Sequence, residues 1–534
     1  MKNIGIPFKT FTLKSAKLSV CMALLAIAFA MVPLASHAAT YYVSPSGNDT
    51  TGTGANSSPW KTISNATGLM SAGDTLILKS GTYYTTSNSL CENILSPPSG
   101  TSGAYTTVKA ETNFGAIIDG QNFTEYTSCP YPVYINNKSY IRIEGIKIVN
   151  NSSETALRIA NSSYVKVLRT SIKNGARYDA TYGNVVVIDS GSHHVLLEDA
   201  WVTGVMRYGV QVSGFDGTGA NKIIFRRVVV RWDYTASNQP KAAFSFYGSV
   251  PPLTDPTVSD VICQNCIAID TNPGTTYYAQ YGGFINNKYT LNNKYYGSMA
   301  INIITSGTDT ISTGFHLGSN ESTLTTGNAV INSLVWDVSG SGIIAYGGDP
   351  AGTTLVDGVT VGNASKGVSN SGSTLFTVKN SLFYNTTSAN SGITTSDYNW
   401  YSNASQAQGT NSSTSTVNIS RITETPDAGT GEAGAKMGAF IKYRYGVSET
   451  LWDETGFDQL TTEPLFPWPY EAQIKADFSE TNDPPSGSYP ATNDTKRGFC
   501  ADGMRLSTYI QNYLNKANVS TWPATPSQNV LRAP

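Results

Sequence analysis

The sequence is poor in charged residues and in histidine. Asp, Glu, Lys and Arg make up 13% of its 534 residues, and four histidines are present. Without the four lysines of residues 1–38, 31 basic residues stand against 37 acidic ones. Such a chain lacks the excess of positive charge that general binding of polyanions requires, so we expect no nucleic-acid partner.

Long apolar runs are absent after residue 38. The run from about Leu18 to Leu34 follows four lysines and precedes Ser36-His37-Ala38, which is the pattern of a secretory signal peptide. An uncleaved membrane anchor is the alternative, because the run is close to spanning length, but Pro33 and the small residues favour cleavage near Ala38. We therefore expect a monomer in the periplasm or the extracellular space, with no membrane span after cleavage.

Cysteine is scarce, with six residues in the chain, of which Cys21 falls within the predicted signal peptide. In an exported protein, Cys91 and Cys129 are predicted to form a disulfide. The pair Cys263-Gln-Asn-Cys266 has metal or redox spacing, but no second Cys or His pair accompanies it. It is interpreted as a disulfide at a strand bend or as two unreactive thiols. No nucleotide-binding loop, nucleophile elbow or zinc motif stands out.

The central chain instead contains a repeated phrase. Its copies are SYIRIEGIKIVN from Ser139, SYVKVLRTSIKN from Ser163, HHVLLEDAWVTG from His193, NKIIFRRVVVRW from Asn221, SDVICQNCIAID from Ser259, NAVINSLVWDVS from Asn328 and TLFTVKNSLFYN from Thr374. Each phrase has two bursts of alternating apolar residues around a polar or glycine pair. The alternation predicts strands, and the interruption predicts a bend between two short strands.

The first five phrases begin 24 to 38 residues apart. This distance is typical of one coil of a parallel β-helix, where turn insertions change the spacing without disturbing the stacked strands. β-Propeller blades are the alternative, but they need steadier periods and hairpin turns. Asparagines at the phrase ends, such as Asn150, Asn174 and Asn385, are suited to tight turns and to side-chain stacking between coils.

The first residues after the predicted cleavage site combine a strand, a short helix and a second strand. YYVSPSGND from Tyr41 precedes PWKTISNA, in which Trp60, Ile63 and Ala66 fall on one helical face, and AGDTLILKSGTYY follows. The end of a β-helix exposes unpaired backbone, so we expect this segment to cover it. The three stretches resemble the N-terminal region of secreted bacterial right-handed parallel β-helix proteins, the superfamily that includes pectate lyase-like enzymes. The resemblance extends to about residue 390 and implies an all-β, right-handed parallel β-helix.

Composition divides the chain into four parts. After the signal peptide, the capped β-helix is predicted over residues 39–400 and a polar Ser/Thr/Asn/Gln linker over residues 401–420. Residues 421–534 are predicted to form a C-terminal flap or cap that ends in a short helix with one apolar stripe, capped by Asp502. A small carbohydrate-binding module is the alternative for this last part.

A β-helix offers a long groove suited to an extended polymer, so the expected partner is an extracellular polysaccharide. A polysaccharide lyase removes the proton beside a uronate carboxylate, which requires a cation or Ca²⁺ at the carboxylate and a Lys, Arg, His or Tyr base. Basic residues concentrate in the middle coils. The catalytic candidates are Arg231, Asp233, Lys241 and His316, and the substrate-binding candidates are Arg207, Arg227, Tyr247, Tyr278 and Tyr281. No cluster of acidic residues marks a metal site, so no metal ligand is predicted and Ca²⁺ stays open as a cofactor.

Structural roles compete with these assignments. Arg227 and Arg231 share one face of the predicted strand and equally suit a solvated ladder of salt bridges. Most of the 31 tyrosines are strand residues, and Tyr278 and Tyr281 are better candidates because they fall in an insertion. His316 lies near a predicted loop, although a structural role is the more common one for a single histidine.

Two other functions stay open. A non-catalytic surface or matrix protein would use the same β-helix for adhesion or glycan binding, which suits the low charge. A glycoside hydrolase would need two carboxylates on either side of the scissile bond. Asp199, Asp216, Asp233 and Asp270 lie in successive coils, but no adjacent acidic pair occurs.

Overall fold

The computed structural model describes the chain from residue 38 to residue 513, with gaps. The described residues are 38–85, 92–121, 131–150, 155–175, 183–205, 207–214, 218–233, 241–248, 258–270, 282–303, 312–318, 325–345, 352–372, 375–416, 419–424, 430–480, 498–500 and 504–513. Side chains are not described at residues 205, 232, 233 and 325. The predicted signal peptide, Cys91, Cys129, Tyr278 and Tyr281 lie outside the described residues.

Three parallel sheets contain nearly all strands of the described chain, numbered here in chain order. Sheet 1 contains β1 Thr40–Val43, β2 Thr75–Leu78, β4 Thr106–Ala110, β7 Ser139–Glu144, β10 Ser163–Leu168, β13 His193–Glu198, β16 Asn221–Arg226, β19 Val258–Gln264, β22 Thr290–Leu291, β23 Lys294–Tyr296, β26 Thr325–Thr326, β27 Asn328–Ile331, β30 Thr353–Asp357, β33 Leu375–Lys379 and β35 Thr395–Asp397. Sheet 2 contains β3 Gly81–Tyr84, β5 Ala116–Asp119, β8 Lys147–Val149, β11 Ser171–Lys173, β14 Trp201–Val205, β17 Val229–Asp233, β20 Ile267–Ile269, β24 Met299–Ile303, β28 Leu334–Val338, β31 Thr360–Gly362, β34 Leu382–Tyr384 and β36 Trp400–Tyr401. Sheet 3 contains β6 Val133–Asn136, β9 Thr155–Ala160, β12 Asn184–Asp189, β15 Tyr208–Ser213, β18 Ala242–Tyr247, β21 Gly282–Asn287, β25 Thr313–Leu317, β29 Ser341–Ala345 and β32 Lys366–Asn370.

The chain visits the three sheets in rotation. A strand of sheet 1 is followed by one of sheet 2 and then one of sheet 3, and each strand pairs in parallel with its counterpart one coil earlier, as β10 does with β7. This winding confirms the predicted parallel β-helix. Parallel crossovers of this kind are almost always right-handed.

The turn from sheet 1 to sheet 2 is two residues long in coil after coil. It consists of Arg227-Val228 after β16, Asn265-Cys266 after β19 and Gly297-Ser298 after β23. The first residue of each pair has a left-handed backbone, with φ of 52° at Arg227, 52° at Asn265 and 57° at Gly297. Glycine and asparagine adopt this conformation most readily. The turn is the polar or glycine pair at the centre of each repeated phrase.

Apolar side chains of all three sheets fill one continuous interior. Val165, Val195 and Ile223 occupy equivalent positions in successive strands of sheet 1 and are fully buried. The rings of Phe244 and Phe284 stack with centroids 4.6 Å apart, and the ring of Phe315 continues the stack at 4.8 Å. Each coil therefore buries its apolar residues against those of the next coil, which is how a solenoid is stabilised.

Cys263 and Cys266 contribute two free thiols to this interior. The predicted disulfide at a strand bend is wrong, and the alternative of two unreactive thiols agrees with their burial. Burial raises the pKa of the Cys263 thiol, so its reactive thiolate form is suppressed. The disulfide between Cys91 and Cys129 stays a prediction.

Asparagines form ladders where the strands of sheet 2 end. Asn174 Nδ2 donates to Asn150 Oδ1 at 3.0 Å, and Asn385 Nδ2 donates to Asn363 Oδ1 at 2.8 Å. All four have a left-handed backbone, for example φ of 60° at Asn174. The predicted tight turns and stacking between coils are confirmed.

The N-terminal segment packs against the first coil. Helix α1, Ile63–Leu69, begins after Thr62, whose hydroxyl accepts a hydrogen bond from Asn65 N at 3.3 Å. Trp60, Ile63 and Ala66 are buried in the same core as the strands. Trp60 Nε1 also donates to Gly52 O at 3.1 Å. The predicted capping face is confirmed.

The C-terminal part packs on the outer face of sheet 2. Its regular elements are the antiparallel strands β37 Tyr443–Tyr445 and β38 Leu460–Pro464, helices α2 Glu471–Ser479 and α3 Leu506–Gln511, and short 3₁₀ turns at Glu432–Gly434 and Gly498–Cys500. Trp201, Ile267 and Trp336 of sheet 2 share one buried cluster with Trp468 and Phe478 of this part. No helix in the described ranges is both long enough and apolar enough to cross a bilayer.

The last helix begins later than its predicted cap. Its N-cap residue is Arg505, and Asp502 lies outside the described residues. Leu506, Tyr509, Ile510 and Tyr513 of the expected apolar stripe are buried, but so are the polar residues of the same helix, which is therefore covered on more than one face.

The stretch predicted as a linker lies against the last coil of the β-helix. Ser413 forms a parallel bridge with Trp400 of β36. Gln408 Nε2 donates to Asn390 O at 2.9 Å, and Gln406 Nε2 donates to Thr386 O at 3.1 Å. A further 3₁₀ turn spans Ala404–Gln406. The exact domain boundaries stay predictions.

Candidate functional site

The connections to and from sheet 3 are long in the middle coils, unlike the two-residue turns between sheets 1 and 2. Eight residues separate β17 from β18, twelve separate β20 from β21, and ten separate β18 from β19. The insertions therefore fall at both edges of sheet 3. Inserted loops carry function more often than stacked strands do, so we expect the functional site on sheet 3.

The outer face of sheet 2 is already occupied by the C-terminal part. Lys147 Nζ of β8 forms an ion pair with Asp477 Oδ1 of α2 at 2.6 Å, and Trp201 Nε1 of β14 donates to Asp477 Oδ2 at 2.7 Å. On sheet 1, Arg142 NH1 forms an ion pair with Glu449 Oε2 at 2.7 Å. These contacts bind the C-terminal part to sheets 1 and 2, where it covers the centre of sheet 2.

Arg227, a predicted substrate-binding residue, lies in a buried network of charges. Its Nε donates to Asp199 Oδ1 at 2.6 Å and its NH2 donates to Glu198 Oε1 at 2.5 Å. Arg226 NH1 donates to the other oxygen of Glu198 and to Val447 O, both at 2.8 Å. Arg227 is 1% exposed, so the structure places it in the support of the C-terminal part rather than on a surface that faces substrate.

Arg231, a predicted catalytic residue, is fully buried on the outer face of sheet 2. Its guanidinium carbon lies 5.5 Å from the ring centroid of Phe478 in α2. Asp233 is the last residue of the same strand, β17, and its side chain is not described. Arg231 and Lys241 therefore belong to different sheets, and Arg231 lies beneath the C-terminal part.

Sheet 3 brings together other predicted residues. Arg207 precedes β15 and Lys241 precedes β18 at the same edge of the sheet, and Lys241 N donates to Arg207 O at 2.9 Å. Lys288 follows β21 at the opposite edge, where its Nζ lies 5.1 Å from the ring centroid of Tyr247. All four side chains are half-buried and reach solvent. Arg207 and Lys241 at one edge, with Lys288 at the other, are called the cationic cluster below, because the charges of Arg207 and Lys288 both act on Lys241.

The cationic cluster changes the acidity of Lys241. Burial, together with the charges of Arg207 and Lys288, lowers the pKa of Lys241 from 10.5 to about 8. Two further positive charges and a partly desolvated site both disfavour the ammonium form. A lysine with this pKa is partly neutral near neutral pH, so it can accept a proton.

Two amide side chains line sheet 3 beside the cationic cluster. Asn184 Nδ2 of β12 donates to Gln211 Oε1 of β15 at 2.7 Å. Asn184 Oδ1 accepts no hydrogen bond from any described residue, and both side chains are half-buried. Sequence reasoning missed Lys288, Asn184 and Gln211. The third strand of each coil, on which they lie, follows the repeated phrase at a variable distance.

His316, the remaining catalytic candidate, also lies on sheet 3. Its neighbours in register are Ile285 of β21 and Ile344 of β29. Burial lowers the pKa of His316 to about 4, although a hydrogen bond with the backbone of Gly318 opposes that shift. The imidazole is 4% exposed and neutral at physiological pH, which suits a position beneath the surface better than contact with a polymer.

Among the residues that the structure describes, no three or more His, Cys, Asp or Glu side chains are arranged to hold a metal ion. The cationic cluster itself would repel a divalent cation. The described side chains on sheet 3 therefore do not fit a Ca²⁺ site, and no step below uses one.

Residues 41–215 match a family model described as Pel9A-like, right-handed β-helix region. This match confirms the right-handed parallel β-helix and the resemblance seen in the sequence. A search of the curated proteins finds no match.

Several solved structures are similar at low identity. Pectate lyase Pel9A is 16% identical with a TM-score of 0.44, over 67% of this chain and 78% of that one. A rhamnogalacturonan lyase is 16% identical with a TM-score of 0.41, over 70% and 87%. An alginate lyase from Paenibacillus sp. str. FPU-7 is 15% identical with a TM-score of 0.42, over 63% and 97%.

Proposed function

We propose that this chain is an exported polysaccharide lyase that cleaves a uronate-containing polysaccharide by β-elimination on the outer face of sheet 3. The observation that carries the proposal is Lys241, which reaches solvent, is influenced by two other cations and has a pKa of about 8. A neutral amine beside fixed positive charges is what abstraction of a proton next to a carboxylate requires.

The reaction uses the cationic cluster in two ways. Arg207, whose backbone is hydrogen-bonded to that of Lys241, binds the uronate carboxylate and stabilises the negative charge that spreads onto it when the neighbouring carbon loses its proton, and Lys288 adds positive charge from the opposite edge of the sheet. Neutral Lys241 takes the proton from C5. The electron pair of the C5–H bond forms the C4=C5 double bond, and the C4–O bond breaks. The leaving oxygen keeps the electron pair of the broken C4–O bond and takes a proton from solvent.

Side chains around the cationic cluster position the sugar. The half-buried ring of Tyr247 lies beside Lys288 and offers both an apolar surface and a hydroxyl. Asn184 and Gln211 supply amide groups for sugar hydroxyls. The binding role of Arg207 and Tyr247 and the catalytic role of Lys241 are kept from the sequence-based assignment, to which the role of base is added here, while Arg227 and Arg231 are given structural roles instead.

The hydrolase alternative has less support from sheet 3. Asp189 supplies the one carboxylate among the described strands of that sheet, and it is ion-paired with Arg158 at 2.8 Å. Hydrolysis of a glycosidic bond normally needs a second carboxylate within about 10 Å. Adhesion or glycan binding without catalysis would use the same surface, so the experiment must separate these functions by their products.

The test compares Lys241→Gln with Lys61→Gln, which changes an exposed lysine of the N-terminal segment. Both purified variants and the parent chain are assayed on uronate-containing and neutral polysaccharides, with absorbance of the unsaturated product and reducing ends recorded in parallel. We expect Lys241→Gln to lower kcat by about 100-fold or more, the usual effect of losing a general base, and Lys61→Gln to have no effect.

Any other result would indicate a different function or a different base. Reducing ends without the unsaturated product would show a hydrolase. Binding without any cleavage by the parent chain would show a glycan-binding protein. Elimination that survives in Lys241→Gln would refute the assignment of the base.

A further inference from the structure

We propose that Tyr208 is a positioning residue for the elimination. Its ring holds the guanidinium of Arg207 on the outer face of sheet 3, where the positive charge of Arg207 acts on Lys241. The inference rests on the proposed function and goes beyond it, because it assigns a role to a side chain that acts through Arg207 rather than on the substrate.

The ring of Tyr208 lies beside the guanidinium of Arg207. The guanidinium carbon is 5.3 Å from the centroid of the ring. Within about 6 Å the quadrupole of an aromatic ring attracts a cation, and the attraction is stronger where the pair is partly desolvated. Tyr208 is 3% exposed, whereas Arg207 is half-buried and reaches solvent. The ring is therefore the immobile partner, and the guanidinium is the group that it holds.

An apolar cluster fixes the position of Tyr208. Tyr208 of β15, Ala242 of β18 and Ile285 of β21 form this buried cluster, which is separate from the interior that the three sheets enclose. In register, Tyr208 pairs with Ala242, and the next residue in the same row is Gly282. The ring of Tyr208 therefore meets only small residues on that side, so the row can accommodate its size.

The same cluster lies directly next to the residues of the proposed reaction. Arg207 precedes Tyr208 and Lys241 precedes Ala242, and Lys241 N donates to Arg207 O at 2.9 Å. The main chains of Arg207 and Lys241 are thus one strand spacing apart, or about 5 Å. Since the main chains are held together, the distance between the two charges depends on where the long side chains point. Contact with the ring of Tyr208 restricts that choice for Arg207.

Loss of this restriction would affect both proposed functions of Arg207. Burial is the largest cause of the lowered pKa of Lys241, and the charges of Arg207 and Lys288 add to it. A guanidinium that turns toward solvent is screened, so it disfavours the ammonium form of Lys241 less. It also loses more rotamer entropy when it binds the uronate carboxylate. Tyr208 therefore supports the base and the carboxylate-binding residue together.

The test measures the pKa of Lys241 directly and without substrate. Lysines of the purified protein are labelled by reductive ¹³C-methylation and titrated by NMR, and the Lys241 signal is the one that Lys241→Gln lacks. We expect Tyr208→Leu, which keeps an apolar side chain but removes the ring, to raise the pKa of Lys241 by about half a unit. Tyr208→Phe, which keeps the ring, should leave this pKa unchanged. Tyr134→Leu, the same exchange on β6 of sheet 3, is the matched control and should also leave it unchanged.

Two further measurements keep the test decisive if Tyr208→Leu folds poorly. A trifluorinated phenylalanine at position 208 keeps the shape of the ring but weakens its attraction for a cation, so it should raise the pKa of Lys241 relative to Tyr208→Phe. In the Arg207→Gln background there is no guanidinium to hold. Neither change at position 208 should then affect the pKa of Lys241.

Kinetics separate this inference from the proposed function. An increase of half a unit in the pKa of Lys241 lowers its neutral fraction at pH 7, and with it kcat/KM, by about threefold or more in Tyr208→Leu. The expected pKa changes without any elimination by the parent chain would support the role of Tyr208 and refute the proposed function. An unchanged pKa in Tyr208→Leu and in the fluorinated variant, or an equal increase in Tyr208→Phe, would overturn the positioning role and leave Lys241 as the base untouched.

Discussion

The pH dependence of the reaction is the sharpest consequence of the Lys241 environment. Elimination requires the neutral amine, and its pKa is lowered from 10.5 to about 8. About one tenth of the molecules carry neutral Lys241 at pH 7, and about nine tenths do at pH 9. We therefore expect kcat/KM to rise about tenfold between these pH values and then to level off.

The direction of this pH dependence follows from the lowered pKa of Lys241. A lysine with its ordinary pKa of 10.5 would be neutral in only about one molecule in 3,000 at pH 7, so the rate would still be rising steeply above pH 9. Because kcat/KM reports the free enzyme, the inflection reflects Lys241 before the uronate binds. In the complex the bound carboxylate favours the ammonium form, so kcat should level off at a higher pH than kcat/KM does.

The assay is a series of initial rates from pH 6 to pH 10, with stability checked at each pH. Arg207→Gln removes one of the two charges that lower the pKa of Lys241 and should move the inflection of kcat/KM upward. Lys61→Gln, on the N-terminal segment, should leave it in place. A profile that falls with rising pH, or an inflection that Arg207→Gln does not move, would refute the assignment of Lys241.

Three stability predictions follow from the described contacts, all measured by thermal and denaturant unfolding. Glu198→Ala leaves Arg226 and Arg227 buried without their shared carboxylate, so it should lower the free energy of unfolding by about 3–5 kcal/mol. Hydrogen exchange in residues 443–464 should become faster. Unchanged exchange rates would contradict the role of Glu198 in holding the C-terminal part. Asn174→Ala removes a ladder hydrogen bond and puts alanine, which tolerates the left-handed backbone less well than asparagine, at φ of 60°; this should cost about 2 kcal/mol, and a neutral effect would count against the ladder. Trp60→Ala opens the capped end and should cost about 3–5 kcal/mol, while Leu69→Ala, at an exposed position of α1, should cost far less.

Two of the three strands could be predicted from the sequence in the seven coils that contain the repeated phrase, whereas coils such as that of β23 and β24 were not recognised. The phrase SYVKVLRTSIKN, for example, contains β10, a two-residue turn and β11, because that turn has the same length in coil after coil. The alternating apolar residues of both strands therefore fall within about twelve consecutive residues, where the pattern can be recognised. Trp60, Ile63 and Ala66 were recognised for a similar reason, since one short helix determines which face they share.

The third strand was missed for the opposite reason. Strands such as β15 and β18 follow the phrase after connections of different length, so no fixed distance reveals them. The candidate site lies on these strands, and Lys288 was overlooked with them. Lys241 and Arg207 were found because basic residues concentrate there, not because their sheet was recognised.

Arg227 shows why the remaining site residues could not be assigned from the sequence. Alternation along RRVVVRW placed it on an outward face, but the two-residue turn interrupts the alternation at that position. Its partners, Glu198 and Asp199, belong to the preceding coil. Coil length varies, so no spacing rule pairs a side chain with its neighbour in the next coil. Burial under the C-terminal part is likewise invisible in a local sequence window.

The most direct test of the account is a crystal structure of Lys241→Gln with a bound uronate oligosaccharide. We expect the oligosaccharide to lie along the outer face of sheet 3, with one carboxylate in contact with Arg207 and the C5 atom facing residue 241. An oligosaccharide bound on sheet 1, or on the C-terminal part, would contradict it.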